Sequence, residues 1–443
     1  MTPRTTLWLA AALMILVTAG PAHAEADAAV APATTAQFDV ERATAGYLAT
    51  LSASARARSD AYFEGGYWLN LWDALLALAV AWLLLGTRFS ARMRNLAERM
   101  TRFTWLRSTI YAAEYVVITG LITLPWAAYE GYVREHQYGM STQDLAGWLG
   151  DQGKGLLLGL IFGCLAAVAI YAVIRRAPKT WWLWGAVVAL ALLLLQVVIG
   201  PTYLEPVFNK FYPLADSPLK QQILSLARAN DIPVTQVYEF DASKQTTKMS
   251  AHVSGLLGTA QISLNDNLMN RGSPEEVKAV LGHEMGHYVM NHVYKSMVFL
   301  SLIIVIGFAL LFRAYGRLQA RYGERWGIRD AADLAGMPLL VALFGLYLFL
   351  LTPVLNTLTR TMEAEADAFG LNAAREPDGF AQAALHLSEY RKMQPGPVEE
   401  FLFFDHPSGR ARIHRAMVWK AENLAAPDIV AYDATHTGAG TPR

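Results

Sequence analysis

The sequence predicts a mainly α-helical, polytopic membrane protein whose polar parts combine a metal-ligand helix with a small β-sheet. Three observations predict it. Of 443 residues, 54% are hydrophobic and only 17% charged, against about 25% charged in an average soluble domain. Six segments are long and apolar enough to cross a bilayer. Between the fourth and fifth of them stands His283-Glu284-Met285-Gly286-His287, an H-E-x-x-H motif, on a segment with strong helix-start signals.

Residues 1–24 read as a secretory signal. Arg4 supplies a positive start, residues 7–17 an apolar core, and Ala22-His23-Ala24 a small-x-small cleavage site. The apolar run is shorter than the roughly 20 residues a spanning helix needs, which favours cleavage over a retained first helix. Four spans follow within residues 25–200, at about 67–86, 109–129, 155–174 and 180–200. Two more lie within 297–354, at about 297–312 and 337–354. The first carries Asp73 and the second Glu114, and acids at such depth face a protein interior or a hydrated chamber.

Two polar stretches, 201–296 and 355–424, form the body outside the membrane, and 425–443 reads as a flexible tail. The first begins with a helix over 217–229 and β-type segments near 234–240 and 260–264. Ser273-Pro-Glu-Glu then opens a helix predicted to run to about residue 295. Serine is a good N-cap, Pro274 suits the first helical position, and Glu276 completes a capping box.

The 37 Lys+Arg cancel the 37 Asp+Glu, so there is no electrostatic footprint for nucleic acid. A single cysteine, Cys164, excludes intrachain disulfides and cysteine-based zinc ribbons. The arginines are nonetheless clustered. Arg88, Arg92, Arg94, Arg99, Arg102 and Arg107 follow the first span, Arg175, Arg176 and Lys179 the third. Arg313, Arg317, Arg321, Arg325 and Arg329 are expected in the loop after the fifth. The positive-inside rule makes that side cytoplasmic, with both polar stretches across the membrane. A cleaved signal gives the same orientation. In a bacterium this is an inner-membrane protein with a periplasmic site; the cytoplasmic face is the alternative.

Residues four apart share a helix face, so His283 and His287 can reach one metal ion, with Glu284 close enough to take a proton from a metal-activated water. With 10 histidines in the chain, chance supplies roughly 0.01 such motifs per chain. A catalytic zinc needs a third protein ligand. His292 stands five residues past His287, about 140° round a continuous helix, and is poorly placed. After the sixth span, Glu363 and Asp367 of Thr361-Met-Glu-Ala-Glu-Ala-Asp share a helix face while Glu365 points away. One carboxylate can bind the metal while the other holds a ligand histidine. A solvated acidic helix would have the same spacing.

The joint order of Pro206-x-Phe208-x-Lys210-Phe211-x-Pro213-Leu214, Ser243-Lys244, the H-E-x-x-H helix, Glu363-x-x-Ala366-Asp367 and His406-Pro407 resembles peptidase family M48. The likeness is to its integral-membrane branch, the CAAX prenyl proteases. It implies a gluzincin-like zinc protease domain with Zn²⁺ as the cofactor, one per chain, and Glu363 as third ligand. Asp367 would support a ligand histidine, and Arg412, six residues after His406, would complete the family's His-Pro…Arg pattern. His406 would stabilise the oxyanion of a tetrahedral intermediate. Without the resemblance, Asp405-His406-Pro407 reads as a loop turn. Residues 249–255 match the family's edge strand, to which a substrate peptide can add. Here the chain departs from the family pattern, with Ser250-Ala251-His252 where an Asn-Ala-aromatic stretch is usual.

The function expected is zinc-dependent endoproteolysis of a peptide or protein substrate at the lipid bilayer, with Glu284 as general base. A periplasmic site argues against prenylated cytosolic proteins and for membrane or exported ones. The competing reading is a non-catalytic membrane scaffold or holdase that keeps the zinc fold.

Overall fold

The computed structural model describes residues 38–255, 260–426 and 428–429. The predicted signal segment and most of the predicted tail lie outside them. The described chain begins with α1 (Val40–Ala49), where Asp39 accepts the N–H of Arg42 as an N-cap. Then come α2 (Ala53–Gly86), α3 (Phe89–Met100), α4 (Thr104–Tyr138, with a π-helical turn at Tyr129–Arg134), α5 (Leu145–Arg176) and α6 (Trp181–Phe208). Of these, α2, α4, α5 and α6 are long and apolar enough to cross a membrane.

A four-stranded sheet follows, made of β1 (Phe211–Pro213), β2 (Val237–Phe240), β3 (Ala251–Ser254) and β4 (Gln261–Asn265) in the order β1-β2-β4-β3. β2 and β4 are parallel and the outer pairs antiparallel, so β3 is an edge. The helix α7 (Pro218–Ala229) lies between β1 and β2, and α8 (Asp266–Arg271) follows β4. Ile223, Leu224, Val237, Ile262 and Leu264 pack with Leu281 and Met285 of α9 (Pro274–Val289) in one apolar cluster. The sheet therefore backs the helix that carries the motif. α9 starts with the predicted capping box: Ser273 Oγ accepts the Glu276 N–H, and Glu276 accepts the Ser273 N–H.

Two elements differ from expectation. α9 stops at Val289 instead of continuing to 295, because Asn291 is left-handed (φ 58°) and restarts the chain as α10 (His292–Trp326). Asparagine tolerates that conformation because its short polar side chain can bond locally. α10 is the fifth spanning candidate and runs on through Arg313, Arg317, Arg321 and Arg325, so these arginines sit on a helix and not in a loop. The sixth span, expected at 337–354, is bent. α11 (Met337–Leu350) and α12 (Thr352–Ala374) meet at 52°. The 14 residues of α11 extend about 21 Å at 1.5 Å each, short of a roughly 30 Å hydrocarbon core.

The basic connections meet at one end of the bundle. Arg88 donates to the carbonyls of Glu324 and Arg325, and Arg94 is ion-paired with Asp333. Arg329 pairs with Glu98, and Arg175 reaches Ser108. Within the bundle, Asp73 accepts the Trp126 indole N–H at 2.6 Å. Glu114 Oε2 is buried without a hydrogen-bond partner among the described residues. Neither acid lines the polar cavity of about 500 Å³ bounded by Tyr62, Glu130, Arg134, Asn356 and Asp405.

The remaining helices are α13 (Pro377–His386), α14 (Pro397–Phe403) and α15 (Gly409–Asn423). α12 lies tightly on α9 because glycines line the crossing. A Cβ on Gly370 would stand 2.7 Å from the His283 backbone nitrogen, and one on Gly282 3.0 Å from the Gly370 carbonyl oxygen. This close approach brings the acidic face of α12 under the histidine face of α9.

Candidate active site

His283 and His287, one turn apart on α9, place their Nε2 atoms 3.2 Å from each other. Glu363 on α12 meets both, with Oε2 3.2 Å from His283 Nε2 and Oε1 3.3 Å from His287 Nε2. Two imidazoles and a carboxylate are a recurrent zinc donor set. A tetrahedral ion with bonds of about 2.0–2.1 Å requires donor atoms about 3.3–3.4 Å apart. Glu363 Oε2 is buried and has no well-aligned hydrogen-bond donor among the described residues, as a carboxylate aimed at a cation would be. These three residues fit a zinc ion, and they form the one candidate metal group among the described residues.

The surroundings favour positive charge at this point. Burial of the His283 imidazole opposes protonation. The carboxylates of Asp367 and Glu363 outweigh it and raise the imidazole to about 9. Asp367 is fully buried and accepts from His283 Nδ1 at 2.9 Å, which leaves Nε2 facing Glu363. The same carboxylate accepts from Arg412 Nη2 at 2.6 Å and Nε at 3.1 Å, and from Arg415 Nη1 at 2.9 Å. Both arginines project from α15, whose Ser408 N-cap follows directly on His406-Pro407.

Glu284 follows His283 and opens onto a cavity of about 250 Å³ that it lines with His283, Glu363, His406 and Arg412. Burial pushes its carboxyl above the usual range, toward that of a working general base. His406 leaves the α14–α15 connection with Nε2 3.2 Å from Glu363 Oε2 and Nδ1 2.8 Å from Asp405. Opposite the metal-ligand group, Ser250 and Ala251 of the sheet edge line the cavity with Met249. Phe380, Ala383, Ala384 and Leu387 form its apolar wall. His252 does not line it: its ring packs against Phe240, and Nε2 lies 3.4 Å from Glu205 of α6.

The structure thus brings His283, Glu284, His287, Glu363, Asp367, His406, Arg412, Ser250 and Ala251 together and turns His252 aside. Sequence reasoning missed Arg415, one turn beyond Arg412 on a helix it did not assign, and Asp405, read as part of a turn. It also missed His292 and Glu365. His292 Nδ1 lies 2.9 Å from His287 Nδ1, and Glu365, expected to point away, accepts from His292 and Lys295. The end of α9 at Val289 brings His292 beside His287, yet it stays outside the metal-ligand group, as the helical-wheel argument expected.

Comparisons with known proteins identify the family. Residues 213–420 match the model of peptidase family M48, and residues 43–210 match that of the CAAX prenyl protease N-terminal region of five membrane helices. The uncharacterized metalloprotease YhfN of Bacillus subtilis is 30% identical over 75% of this chain and 78% of its own length. CAAX prenyl protease 1 of Saccharomyces cerevisiae is 28% identical over 67% and 69%. The crystal structure of S. mikatae Ste24p superposes with a TM-score of 0.71 at 22% identity, covering 85% of this chain and 94% of that one. The chain therefore belongs to peptidase family M48, as a multi-pass membrane metalloprotease built like the CAAX prenyl proteases.

Proposed function

We propose that the protein is a zinc endopeptidase that cuts membrane or exported proteins at the periplasmic face of a bacterial inner membrane. The observation that carries the chemistry is the convergence of His283 Nε2, His287 Nε2 and Glu363 at 3.2–3.3 Å. These three residues would hold the ion. Bound zinc supplies Lewis acidity toward the water and the scissile carbonyl.

The chain's own groups do the rest. A substrate strand adds to the free edge of β3, where Ser250 and Ala251 border the cavity, and backbone hydrogen bonds hold it extended. The apolar wall of α13 takes a neighbouring side chain. Glu284 removes a proton from the attacking water and returns it to the leaving amine. His406 donates from Nε2 to the developing oxyanion while Asp405 holds Nδ1. Asp367, backed by Arg412 and Arg415, keeps His283 in the ligating orientation.

The test is hydrolysis of a labelled peptide by the purified protein before and after chelation. Cleavage is expected to stop with the chelator and return with added Zn²⁺; equal cleavage throughout overturns the zinc reading. The periplasmic assignment is supported by α10, which starts beside His287 at His292 and carries Arg321 and Arg325 near its other end. A reporter active only in the cytoplasm, fused to the C-terminus, is expected to be silent. Its activity would reverse the orientation and restore cytosolic proteins as candidate substrates.

A further inference from the structure

We propose that His292 is a positioning residue that fixes the tautomer and ring orientation of His287, and that the break between α9 and α10 puts it in reach. The proposal rests on the zinc-site reading above and assigns His287 a partner, as Asp367 is the partner of His283.

The hydrogen bonds around His287 run in one direction. His287 turns Nε2 toward Glu363 and His283, so Nε2 is the nitrogen offered to the ion. A neutral imidazole with its lone pair on Nε2 carries its hydrogen on Nδ1. That Nδ1 lies 2.9 Å from His292 Nδ1, which must therefore accept. The hydrogen of His292 is then on Nε2, 3.0 Å from Glu365 Oε2, an acceptor in any ionised carboxylate. Lys295 Nζ, at 2.7 Å from the same oxygen, holds Glu365 in place. Each assignment forces the next, and none leaves a donor facing a donor.

Burial and backbone support the same role. His292 is 3% exposed, so little water competes for its Nδ1, and the two rings meet edge to face at 74° with centroids 4.9 Å apart. On an unbroken helix His292 would point about 140° away from His287. The left-handed Asn291 turns the chain so that the first residue of α10 faces back onto the last turn of α9. The two ligand histidines are thus held unequally. His283 bonds directly to a buried carboxylate, whereas His287 reaches its carboxylate through a second imidazole, at the partly exposed Glu365.

Partners that orient a ligand histidine typically set metal affinity by 10–100-fold. The experiment measures Zn²⁺ affinity of the full-length purified protein by competition with a chelating dye, alongside thermal unfolding of the metal-free protein. His292→Ala is expected to weaken Zn²⁺ binding ~10–100-fold. His292→Asn places an amide oxygen where Nδ1 stood and is expected to recover most of the loss. Unchanged affinity in His292→Ala overturns the proposal. So does an Asn variant as weak as Ala, since the hydrogen bond would then not be the cause. If His292→Ala does not fold, the Asn variant decides alone, near-wild-type affinity supporting the role and loss in a folded protein overturning it. Wild-type protein that binds no Zn²⁺ overturns the metal-site reading, and this proposal with it.

Discussion

Glu284→Gln is expected to leave the protein folded and able to bind Zn²⁺ while lowering peptide cleavage by ~10²–10⁴-fold, the usual contribution of a positioned general base. The substitution keeps the shape and hydrogen-bonding reach of the side chain and removes its ability to hold a proton. Glu284 opens onto the cavity that His283, Glu363 and His406 also line. It is not one of the three residues whose donor atoms converge on the metal position. Metal content and activity should therefore separate in this variant, whereas in Glu363→Ala they should fall together. The measurement pairs Zn²⁺ stoichiometry with hydrolysis of a labelled peptide. Wild-type cleavage by a metal-loaded Glu284→Gln protein would remove Glu284 from the mechanism. If neither variant altered the protein's cellular role, the scaffold reading would take its place.

Asp367→Ala is expected to have the largest effect on stability. Asp367 is completely buried and accepts hydrogen bonds from His283, Arg412 and Arg415. Arg412 is itself buried and packs against the Phe380 ring, 5.2 Å from its centroid. Removing the carboxylate leaves a buried guanidinium without its counter-charge. Breaking a buried pair in this way costs about 3–5 kcal/mol. It also frees the His283 ring, so Zn²⁺ affinity should fall ~10–100-fold. Asp367→Asn keeps an acceptor for His283 Nδ1 and should lose less affinity than Ala. Thermal unfolding of the purified variants, with and without Zn²⁺, is the check. An Asp367→Ala protein that unfolds at the wild-type temperature would show that the arginines are held by other means.

What could be read early depended on how local the determining physics is. Spanning helices are legible because hydrophobicity over 20 residues is a property of the segment alone. The start of α9 is legible because serine, proline and glutamate act within one turn. The same reasoning overran its end: nothing in Tyr-Val-Met-Asn-His demands a stop, and the left-handed Asn291 is selected by how α9 and α10 pack. The bend between α11 and α12 did have a local signal, Pro353 at the start of α12, which hydropathy over residues 337–354 does not register.

The ligand set shows the same division. His283, Glu284 and His287 lie on one helix, and four-residue spacing alone puts both imidazoles on one face. Glu363 and Asp367 were recognisable as a pair, but spacing could not separate a metal ligand from a solvated acid. The glycine-lined crossing of α9 and α12 brings Glu363 to the Nε2 atoms and Asp367 to Nδ1 of His283, so both carboxylates meet imidazoles instead of solvent.

By itself, then, the sequence determined five of the six expected membrane spans, the helix that carries the motif and its two histidines, and where the arginines cluster. These follow from hydrophobicity, capping and helical periodicity, which act over a few turns. Only the tertiary structure decided what stands behind each ligand: Asp367 with two arginines at His283, and His292 with Glu365 at His287. Those contacts join α9 to residues as far as α15, and a hydrogen bond depends on tenths of an ångström that only packing sets.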